Sequence, residues 1–240
     1  MTFAPDLAGT VALVTGVGRA GQAGETVAQA FADLGAVICI VSRDPQQVAD
    51  RTAALRGRGA TAHGFACDLT DPAAVADLVA QVTPLAPDGI ASLVNLAGGY
   101  ASDGTVAETA AASWQHMFSI NLTTAFVCTR AFLPLVRRAQ GSIVFFSSAA
   151  ALPGATVSGM AAYAAAKSGV ITLMRAVAAE EREAGVRANA IAPTSIRTES
   201  NLKAMGERAR YVSREAVADW VLWLCSPRSR PLTGQVFRLG

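Results

Sequence analysis

Short hydrophobic runs rich in valine, isoleucine and phenylalanine recur along this chain of 240 residues, and glycine, proline or polar residues bound each run. A continuous apolar run of this length is typical of a strand that is buried on both faces of a sheet. The predicted strands cover residues 10–15, 36–41, 60–66, 91–95, 142–147, 186–192 and 234–239.

Longer, alanine-rich stretches separate these runs, and alanine is the residue that most favours a helix. The predicted helices cover residues 24–34, 45–57, 72–82, 109–137, 160–184 and 213–225. Strands that alternate with helices predict an α/β fold, here a doubly wound, seven-stranded parallel sheet in a three-layer α/β/α arrangement. No low-complexity linker or fixed-period repeat divides the chain, so we expect one domain over residues 1–240, with its ligand beyond the carboxyl ends of the strands.

The chain carries little charge, with a formal net charge of +2 and 16% charged residues. Its basic residues are scattered apart from short clusters such as Arg137–Arg138 and Arg228–Arg230, so we expect no nucleic-acid partner. Hydrophobic residues make up 52% of the chain, but alanine supplies much of that share and the apolar runs are interrupted. We therefore expect no membrane-spanning segment and, from the N-terminal sequence "MTFAPDLAGT", no signal peptide.

The cysteines and histidines indicate a reduced, cytoplasmic protein without a metal site. The four cysteines stand at positions 39, 67, 128 and 225. They form no C-x-x-C pair, and Cys39 lies in an apolar run, which favours a buried free thiol there. His63 and His116 are far apart and have no acidic cluster at metal-ligand spacing, so we expect no metal.

The first predicted strand leads directly into a glycine-rich segment, "TGVGRAGQAGETVAQAFADLGA". Glycines 16, 18, 21 and 24 end the strand and begin a helix, where free backbone N–H groups and the helix dipole attract a phosphate. Glycine is needed there because a Cβ atom would hold a pyrophosphate away from the backbone. Such a turn can also be purely structural, but its place after the first strand favours nucleotide binding.

A second segment, "GMAAYAAAKSGV" at residues 159–170, places a tyrosine and a lysine four residues apart in an alanine-rich helix. Tyr163 and Lys167 therefore lie on one face of that helix. Two interpretations are open from the pair alone. Either both side chains extend to solvent from a surface helix, or the fixed cation lowers the pKa of the phenol so that it exchanges a proton near neutral pH.

Together these segments resemble the short-chain dehydrogenase/reductase family, including members similar to 3-ketoacyl-carrier-protein reductases, over nearly the whole chain. Thr15 and Gly16 match the start of the family's T-G-x-x-x-G-x-G loop, which is two residues longer here. Gly16 and Gly24 match the ends of the loop, and either Gly18 or Gly21 takes the place of its middle glycine. The resemblance implies a Rossmann-type fold and a nicotinamide cofactor.

The resemblance also implies cofactor contacts at the ends of later strands. These are Asp68 and Leu69 in "CDLTD", Asn95, Ala97 and Gly98 in "LVNLAGG", and Pro193, Ile196 and Thr198 in "RANAIAPTSIRT". Leu96 replaces the family's second asparagine, which we expect to cost a local hydrogen bond, and Thr194 replaces its usual glycine. Asp71, which precedes Pro72, also fits a helix N-cap, and that function is compatible with adenine binding by Asp68.

The segment "SIVFFSSAAA" ends a predicted strand where the family has its catalytic serine, and Ser148 rather than Ser147 matches it. Serines at strand ends are also ordinary turn formers, and the segment from Ser148 to Tyr163 is about two residues longer than usual in the family. The resemblance implies that Ser148 binds a substrate carbonyl, that Tyr163 protonates its oxygen, and that Lys167 lowers the Tyr163 pKa and binds the nicotinamide ribose. Asn121 in "WQHMFSINLTT" matches the family's fourth catalytic position, in a proton relay; otherwise it is a buried asparagine that kinks its helix.

The end of the second predicted strand, "AVICIVSRD", indicates which cofactor is used. NAD-using members of the family carry an acidic residue where Ser42 stands, and a carboxylate there would bind the ribose hydroxyls and repel a 2′-phosphate. Arg43 offers hydrogen-bond donors for that phosphate, and Arg19 in the glycine loop is a second candidate cation. We therefore expect NADP(H) rather than NAD(H), unless Asp44 neutralises Arg43 at a solvated surface.

The function expected from these features is NADPH-dependent reduction of a small-molecule ketone to a secondary alcohol. Two alternatives stay open: an NAD-linked alcohol dehydrogenase of the same family, and a sensor or scaffold that binds NADP(H) without catalysis. The family holds its substrate in a loop, here residues 199–212, which we expect to be a solvated lid. The resemblance implies a dimer or tetramer through the helices near 109–137 and 160–184, and Trp220 and Trp223 are expected to be core or interface anchors.

Overall fold

The computed structural model describes residues 6–102 and 104–240. Its strands are β1 (Val11–Thr15), β2 (Val37–Ser42), β3 (Ala62–Ala66), β4 (Ser92–Asn95), β5 (Ser142–Phe146), β6 (Arg187–Pro193) and β7 (Val236–Leu239). They form one parallel sheet in the order β3-β2-β1-β4-β5-β6-β7. The strand order reverses between β1 and β4, and an open α/β sheet binds its ligand in the crevice at such a point.

Eight helices of the described chain connect these strands and cover both faces of the sheet. They are α1 (Ala23–Asp33), α2 (Pro45–Gly57), α3 (Pro72–Val82), α4 (Ala111–Phe118), α5 (Thr124–Ala139), α6 (Ala161–Glu180), α7 (Glu199–Met205) and α8 (Arg214–Cys225). One apolar cluster joins α3, α5 and α6 to the sheet, and a second joins α1, α2 and α8 to its other face. The predicted three-layer, single-domain α/β fold is therefore confirmed.

The two apolar clusters explain why the strands are continuous hydrophobic runs. Leu13 of β1 packs into one cluster, whereas its neighbours Ala12 and Val14 pack into the other. Successive side chains of a strand point to opposite faces, so a sheet covered on both faces requires apolar residues at every position. Cys39 of β2 is a buried free thiol, as predicted, and burial raises its pKa to about 12.

Three predicted elements differ in the structure. The single helix expected over 109–137 is α4 and α5 joined by a π-helical turn, Ser119–Thr123. The helix expected over 160–184 ends at Glu180, and the next residue, Glu181, is buried and accepts two hydrogen bonds of 2.6 Å from Arg137. The loop expected over 199–212 contains α7.

The helical run Ala111–Ala139 is long and apolar enough to cross a membrane, with a mean hydropathy of 1.3. The expectation that no such run exists was therefore wrong on length and composition. Half of that apolar window is buried inside the protein, and Phe132 within it is fully enclosed, so the run is a core helix of this fold. Residues 1–5, which open the stretch considered for a signal peptide, lie outside the described residues.

Candidate active site

Ser148, Tyr163 and Lys167 meet beyond the carboxyl end of β5. Ser148 follows that strand by two residues, and its hydroxyl interacts with the phenol of Tyr163 and lowers the pKa of that group. Tyr163 and Lys167 lie one turn apart on α6, and Lys167 Nζ is 5.9 Å from the centroid of the Tyr163 ring. The structure therefore brings together three residues that the sequence analysis selected.

The two consecutive serines differ in their surroundings. Ser147 is buried, and its hydroxyl donates to the backbone carbonyl of Lys167 at 2.9 Å. Ser148 is half-buried, and its Oγ accepts from the N–H of Ala150 at 3.2 Å. Because neighbouring side chains of an extended chain point in opposite directions, only Ser148 faces Tyr163.

Burial controls the proton affinity of the Tyr163 phenol. Burial raises its pKa above 10.0; the hydrogen bond with Ser148 opposes this, and the neighbouring Tyr100 adds to it. The net shift is upward, opposite to the lowering expected from Lys167, because burial of the phenol itself is the largest cause. The ammonium of Lys167 is directed to the carbonyl of Phe146, to which it donates at 2.9 Å.

Lys167 is a buried cation with no carboxylate within ion-pair distance in the described chain. Removal from water disfavours its charged form, and this lowers the pKa of Lys167 from its ordinary value of 10.5 to about 8. The side chain consequently gains and loses a proton close to physiological pH.

This depressed pKa of Lys167 predicts how stability changes with pH. Between pH 8 and 10.5 the unfolded chain binds a proton at Lys167 that the folded protein does not, so this residue makes the free energy of unfolding rise with pH. Urea unfolding is measured for the wild type and for Lys167→Met. The free energy of unfolding of the wild type minus that of the variant should rise by about 2 kcal/mol between pH 7.5 and pH 9.5. The comparison cancels the titration of the other groups. A constant difference would assign Lys167 an ordinary pKa.

Asn121 lies in the π-helical turn and joins this group through backbone contacts. Its side chain is buried, accepts from Gly99 N at 3.1 Å, and donates to the carbonyls of Gly99 and Met117 at 3.0 Å each. A methyl group on Gly98 would lie 2.5 Å from Asn121 Oδ1 and 3.3 Å from Lys167 Nζ. Asn121 and Lys167 therefore approach the same point of the chain, and π turns often occur at functional sites.

The glycine loop has the close backbone packing of a phosphate cradle. Gly16 has a positive φ of 77°, and a Cβ on it would lie 2.8 Å from Ala97 N. A Cβ on Gly24 would collide with the carbonyl of Gly16. Gln22, the N-cap of α1, provides no side-chain hydrogen bond to the helix, so the first N–H groups of α1 are available to an anion.

Gly18 lies against the end of β2. A Cβ on Gly18 would be 2.8 Å from Ser42 Oγ and 2.6 Å from Gln47 Oε1. Arg19, the next residue, is exposed and lines a cavity of about 360 Å³ with Gln47 and Arg51 of α2 and other residues of the loop and α7. The structure thus places Gly18, Arg19 and Ser42 side by side.

The extra length of the glycine loop is held by residues that the sequence analysis did not select. Gly21 has a φ of 69°, its N–H donates to Glu25 Oε2 at 2.7 Å, and Glu25 forms an ion pair with Arg51. The carbonyl of Gly21 accepts from the N–H of Glu199 at 3.1 Å. The acidic residue in the first turn after the loop was a sequence signal for the first of these contacts.

On the adenine side of the expected site, Asp44 and Arg43 do not pair. Asp44 is the N-cap of α2 and accepts from two backbone N–H groups of that helix, and no ion pair joins it to Arg43 in the described residues. Two hydrogen bonds from Thr70 lower the pKa of Asp68, burial opposes them, and the charge of the exposed Arg43 lowers it further. The side chain of Leu69 is buried in the core, so only its backbone is available to a cofactor.

The segment after β4 is similarly tied to the protein interior. Asn95 is buried and donates to Thr129 Oγ1 at 2.9 Å, whereas its Oδ1 has no hydrogen-bond partner. The N–H groups of Leu96 and Ala97 both donate to Thr15 Oγ1 at 3.0 Å. The Asn95 side chain therefore supports the strand end through Thr129, and its assignment as a cofactor contact stays a prediction.

Residues 196–212 form an ordered segment, which we call the flap. Pro193 ends β6, Ile196 pairs with Val212 across the base of the flap, and the buried Thr198 caps α7 by accepting from a backbone N–H at 3.2 Å. The hydroxyl of Tyr211 donates to the carbonyl of Gly206 at 2.7 Å. The flap thus consists of the short helix α7 and a return segment that pairs with its base. Glu199, the first residue of α7, contacts the glycine loop.

The remaining selected residues lie on other elements. His63 is in β3, where burial and the nearby Arg56 lower its pKa, and His116 is exposed on α4. No group of three His, Cys, Asp or Glu side chains suited to a metal occurs within residues 6–102 and 104–240. Trp220 and Trp223 stack edge to face at 5.5 Å on α8, and Asp71 caps α3 by accepting from Ala73 N, as predicted.

Comparison with known proteins identifies the family. A family model described as enoyl-(acyl carrier protein) reductase matches residues 16–239. The crystal structure of a short chain dehydrogenase from Mycobacterium smegmatis superposes with a TM-score of 0.86 and 29% sequence identity, over 98% of this chain and 93% of that one. The chain belongs to the short-chain dehydrogenase/reductase family.

Two characterised members of the short-chain dehydrogenase/reductase family are similar to the chain over most of its length. It is 34% identical to 2-(S)-hydroxypropyl-CoM dehydrogenase 3 of Xanthobacter autotrophicus over 234 residues, 89% of each protein. It is also 34% identical to galactitol 2-dehydrogenase of Rhizobium johnstonii over 245 aligned positions, 96% of this chain and 93% of that protein. Membership in this family establishes an oxidoreductase fold with a nicotinamide cofactor.

Proposed function

We propose that this protein reduces a ketone to a secondary alcohol with NADPH, and that Tyr163 donates the proton. The meeting of Ser148, Tyr163 and the buried Lys167 at the end of β5, with the Ser148 hydroxyl interacting with the Tyr163 phenol, carries the proposal. The two similar relatives are named for dehydrogenation at a secondary hydroxyl, of a 2-hydroxypropyl group and of carbon 2 of galactitol. Their names support a ketone and secondary alcohol pair as the substrate class.

The side chains of the site account for the proton transfer. The nicotinamide cofactor, when bound, supplies or accepts the hydride. The adjacent hydroxyls of Ser148 and Tyr163 can donate hydrogen bonds to one carbonyl oxygen and stabilise the negative charge that develops on it. Because burial raises its pKa, Tyr163 holds its proton until that charge appears, and then transfers it to the substrate oxygen. Lys167, with a pKa of about 8, returns a proton to the Tyr163 phenolate, and Asn121 positions this relay.

The cradle described above fits a dinucleotide. We propose that Gly16, Gly18 and Gly24 and the first N–H groups of α1 hold the pyrophosphate, as Gly16 and Gly24 pack against backbone and Gly18 against side chains so closely that no Cβ fits. Ser42, Arg43 and Arg19 would bind the adenosine ribose and its 2′-phosphate. Asp68 would face the adenine, and Ala97, Gly98, Ile196 and Thr198 would line the nicotinamide half.

The NADPH assignment predicts the effect of Arg43→Ala. Loss of a charge-assisted contact with the 2′-phosphate should raise the KM for NADPH by about 10- to 100-fold, equivalent to ~1.5–3 kcal/mol, and should hardly change the KM for NADH. Steady-state kinetics with both cofactors test this. Arg58→Ala, an exposed arginine at the other end of α2, is the matched control and should change neither constant. A wild type that prefers NADH, or equal damage to both cofactors, would contradict the assignment.

A second candidate function is the oxidative reaction with NAD as acceptor, because both similar relatives are named dehydrogenases. A protein that binds NADP(H) without catalysis is the third. Incubation with NADPH or NADH and a panel of ketones, and with NADP+ or NAD+ and the matching alcohols, separates them. Tight NADPH binding with no turnover on either panel would favour a sensor or scaffold.

We also propose a cytoplasmic homo-oligomer, a dimer or tetramer, with one domain over residues 1–240. The exposed aromatic side chains of Trp114 on α4 and Phe126 on α5 support an interface there, since aromatic residues are enriched at interfaces. Analytical ultracentrifugation of the wild type and of Phe126→Glu checks the oligomer.

A further inference from the structure

The most exposed aromatic ring of the described chain lies next to the proposed proton donor. The side chain of Tyr100 is 59% exposed, and its ring centroid is 5.1 Å from that of Tyr163 with the two ring planes at 89°. Edge-to-face pairs of aromatic rings prefer this geometry. Tyr100 has no part in the proton transfer proposed above.

The backbone on both sides of Tyr100 is held in place. Gly99, which precedes it, exchanges two hydrogen bonds with the side chain of Asn121, at 3.1 and 3.0 Å. Ser102, two residues further on, donates to the carbonyl of Gly159 at 2.7 Å. These contacts hold the backbone around Tyr100 against the π-helical turn that contains Asn121 and against the lengthened segment between Ser148 and Tyr163. The Tyr100 ring is therefore held in place beside the active site.

Tyr100 is the exposed member of the ring pair, because its side chain is 59% exposed whereas Tyr163 is half-buried. Its ring therefore offers an aromatic surface that a ligand bound at Tyr163 can cover. The substrate oxygen must reach the hydroxyls of Ser148 and Tyr163, so a substituent on its carbonyl carbon extends toward the neighbouring Tyr100 ring.

We infer that Tyr100 is a specificity-determining residue that favours ketones with a flat aromatic group on the carbonyl carbon. The inference rests on the proposed function for the position of the carbonyl group. An aromatic substituent of the substrate can pack against the face or the edge of the exposed Tyr100 ring, with the two ring centroids ~4.5–7 Å apart as in other aromatic pairs. A flexible aliphatic substituent of equal size gains only the ordinary burial of apolar surface.

The kinetic test compares acetophenone, whose flat ring is conjugated with the carbonyl, with cyclohexyl methyl ketone, whose ring is saturated and puckered. We expect the ratio of kcat/KM for acetophenone to that for the cyclohexyl ketone to fall by about five- to tenfold in Tyr100→Leu, the range of one aromatic pair. Tyr100→Phe should retain the wild-type ratio, and because conjugation affects each protein equally, the change in ratio reports the ring contact alone. Trp220→Ala removes an exposed aromatic ring from α8, beside the other apolar cluster, and as the matched control should keep the wild-type ratio.

A binding measurement makes the test independent of turnover. With saturating NADP+ or NAD+, whichever binds more tightly, the acetophenone Kd from saturation-transfer NMR should rise about three- to tenfold in Tyr100→Leu and stay unchanged in Tyr100→Phe. Equal Kd values for wild type and Tyr100→Leu would overturn the inference, as would ketone turnover with an unchanged substrate ratio. Loss of acetophenone binding in Tyr100→Leu without ketone turnover in the wild type would support the inference and overturn the proposed reduction.

Discussion

Tyr163→Phe is expected to lower kcat by about 10²–10⁴-fold, the usual contribution of a positioned general acid. Phenylalanine retains the ring that packs against Tyr100 and removes only the hydroxyl that interacts with Ser148. Binding of NADPH should therefore stay within a few-fold of the wild type. Single-turnover kinetics give the chemical rate, and fluorescence titration gives the cofactor affinity.

The control for this variant is Tyr211→Phe, which removes a phenol from the flap. The Tyr211 hydroxyl donates to backbone carbonyls within the flap, so we expect a small loss of stability and a kcat within about tenfold of the wild type. If Tyr163→Phe also kept its kcat within tenfold, Tyr163 would have no part in the chemistry.

Ser148→Ala is expected to slow the chemical step by about 10²–10³-fold, as the loss of one donor to a developing oxyanion commonly does. Ser147→Ala is the matched change one residue earlier. Because Ser147 is buried and donates to the carbonyl of Lys167, its loss should lower the free energy of unfolding by about 1–2 kcal/mol and affect the rate less.

The two serine variants thus separate catalysis from folding. Single-turnover kinetics should show the larger loss of rate in Ser148→Ala, and urea unfolding should show the larger loss of stability in Ser147→Ala. A larger rate loss in Ser147→Ala than in Ser148→Ala would mean that the site uses the other serine and that the lengthened segment before Tyr163 follows a different alignment.

The strands were predictable because burial on both faces leaves a strong local signature. The runs at 36–41 and 142–147 needed no tertiary information, since every residue in them is apolar or small. The break between α4 and α5 had no such signature. The π turn occurs where Asn121 is hydrogen bonded to Gly99, a residue 22 positions earlier. The periodicity of hydrophobic residues along a helix does not predict such a long-range contact.

The site shows the same division between local and tertiary information. The sequence alone was enough to select Ser148, Tyr163 and Lys167 from their residue types and spacing, and the structure brings these three residues together. The direction in which Lys167 points is a different matter. Its bond to the Phe146 carbonyl and its loss of hydration depend on three-dimensional packing, and so does the burial that raises the pKa of Tyr163. Tyr100 was missed because an exposed aromatic after two glycines has no distinctive spacing.

The bond between Gly21 and Glu199 has a mechanical consequence. One side of the cleft is the glycine loop, anchored to α2 through Glu25 and Arg51, and the other side is the flap. Because a backbone hydrogen bond joins the two, a wider cleft at the flap requires either that this bond breaks or that the loop moves with the flap. The position of the glycine loop and that of the first residue of α7 are therefore coupled.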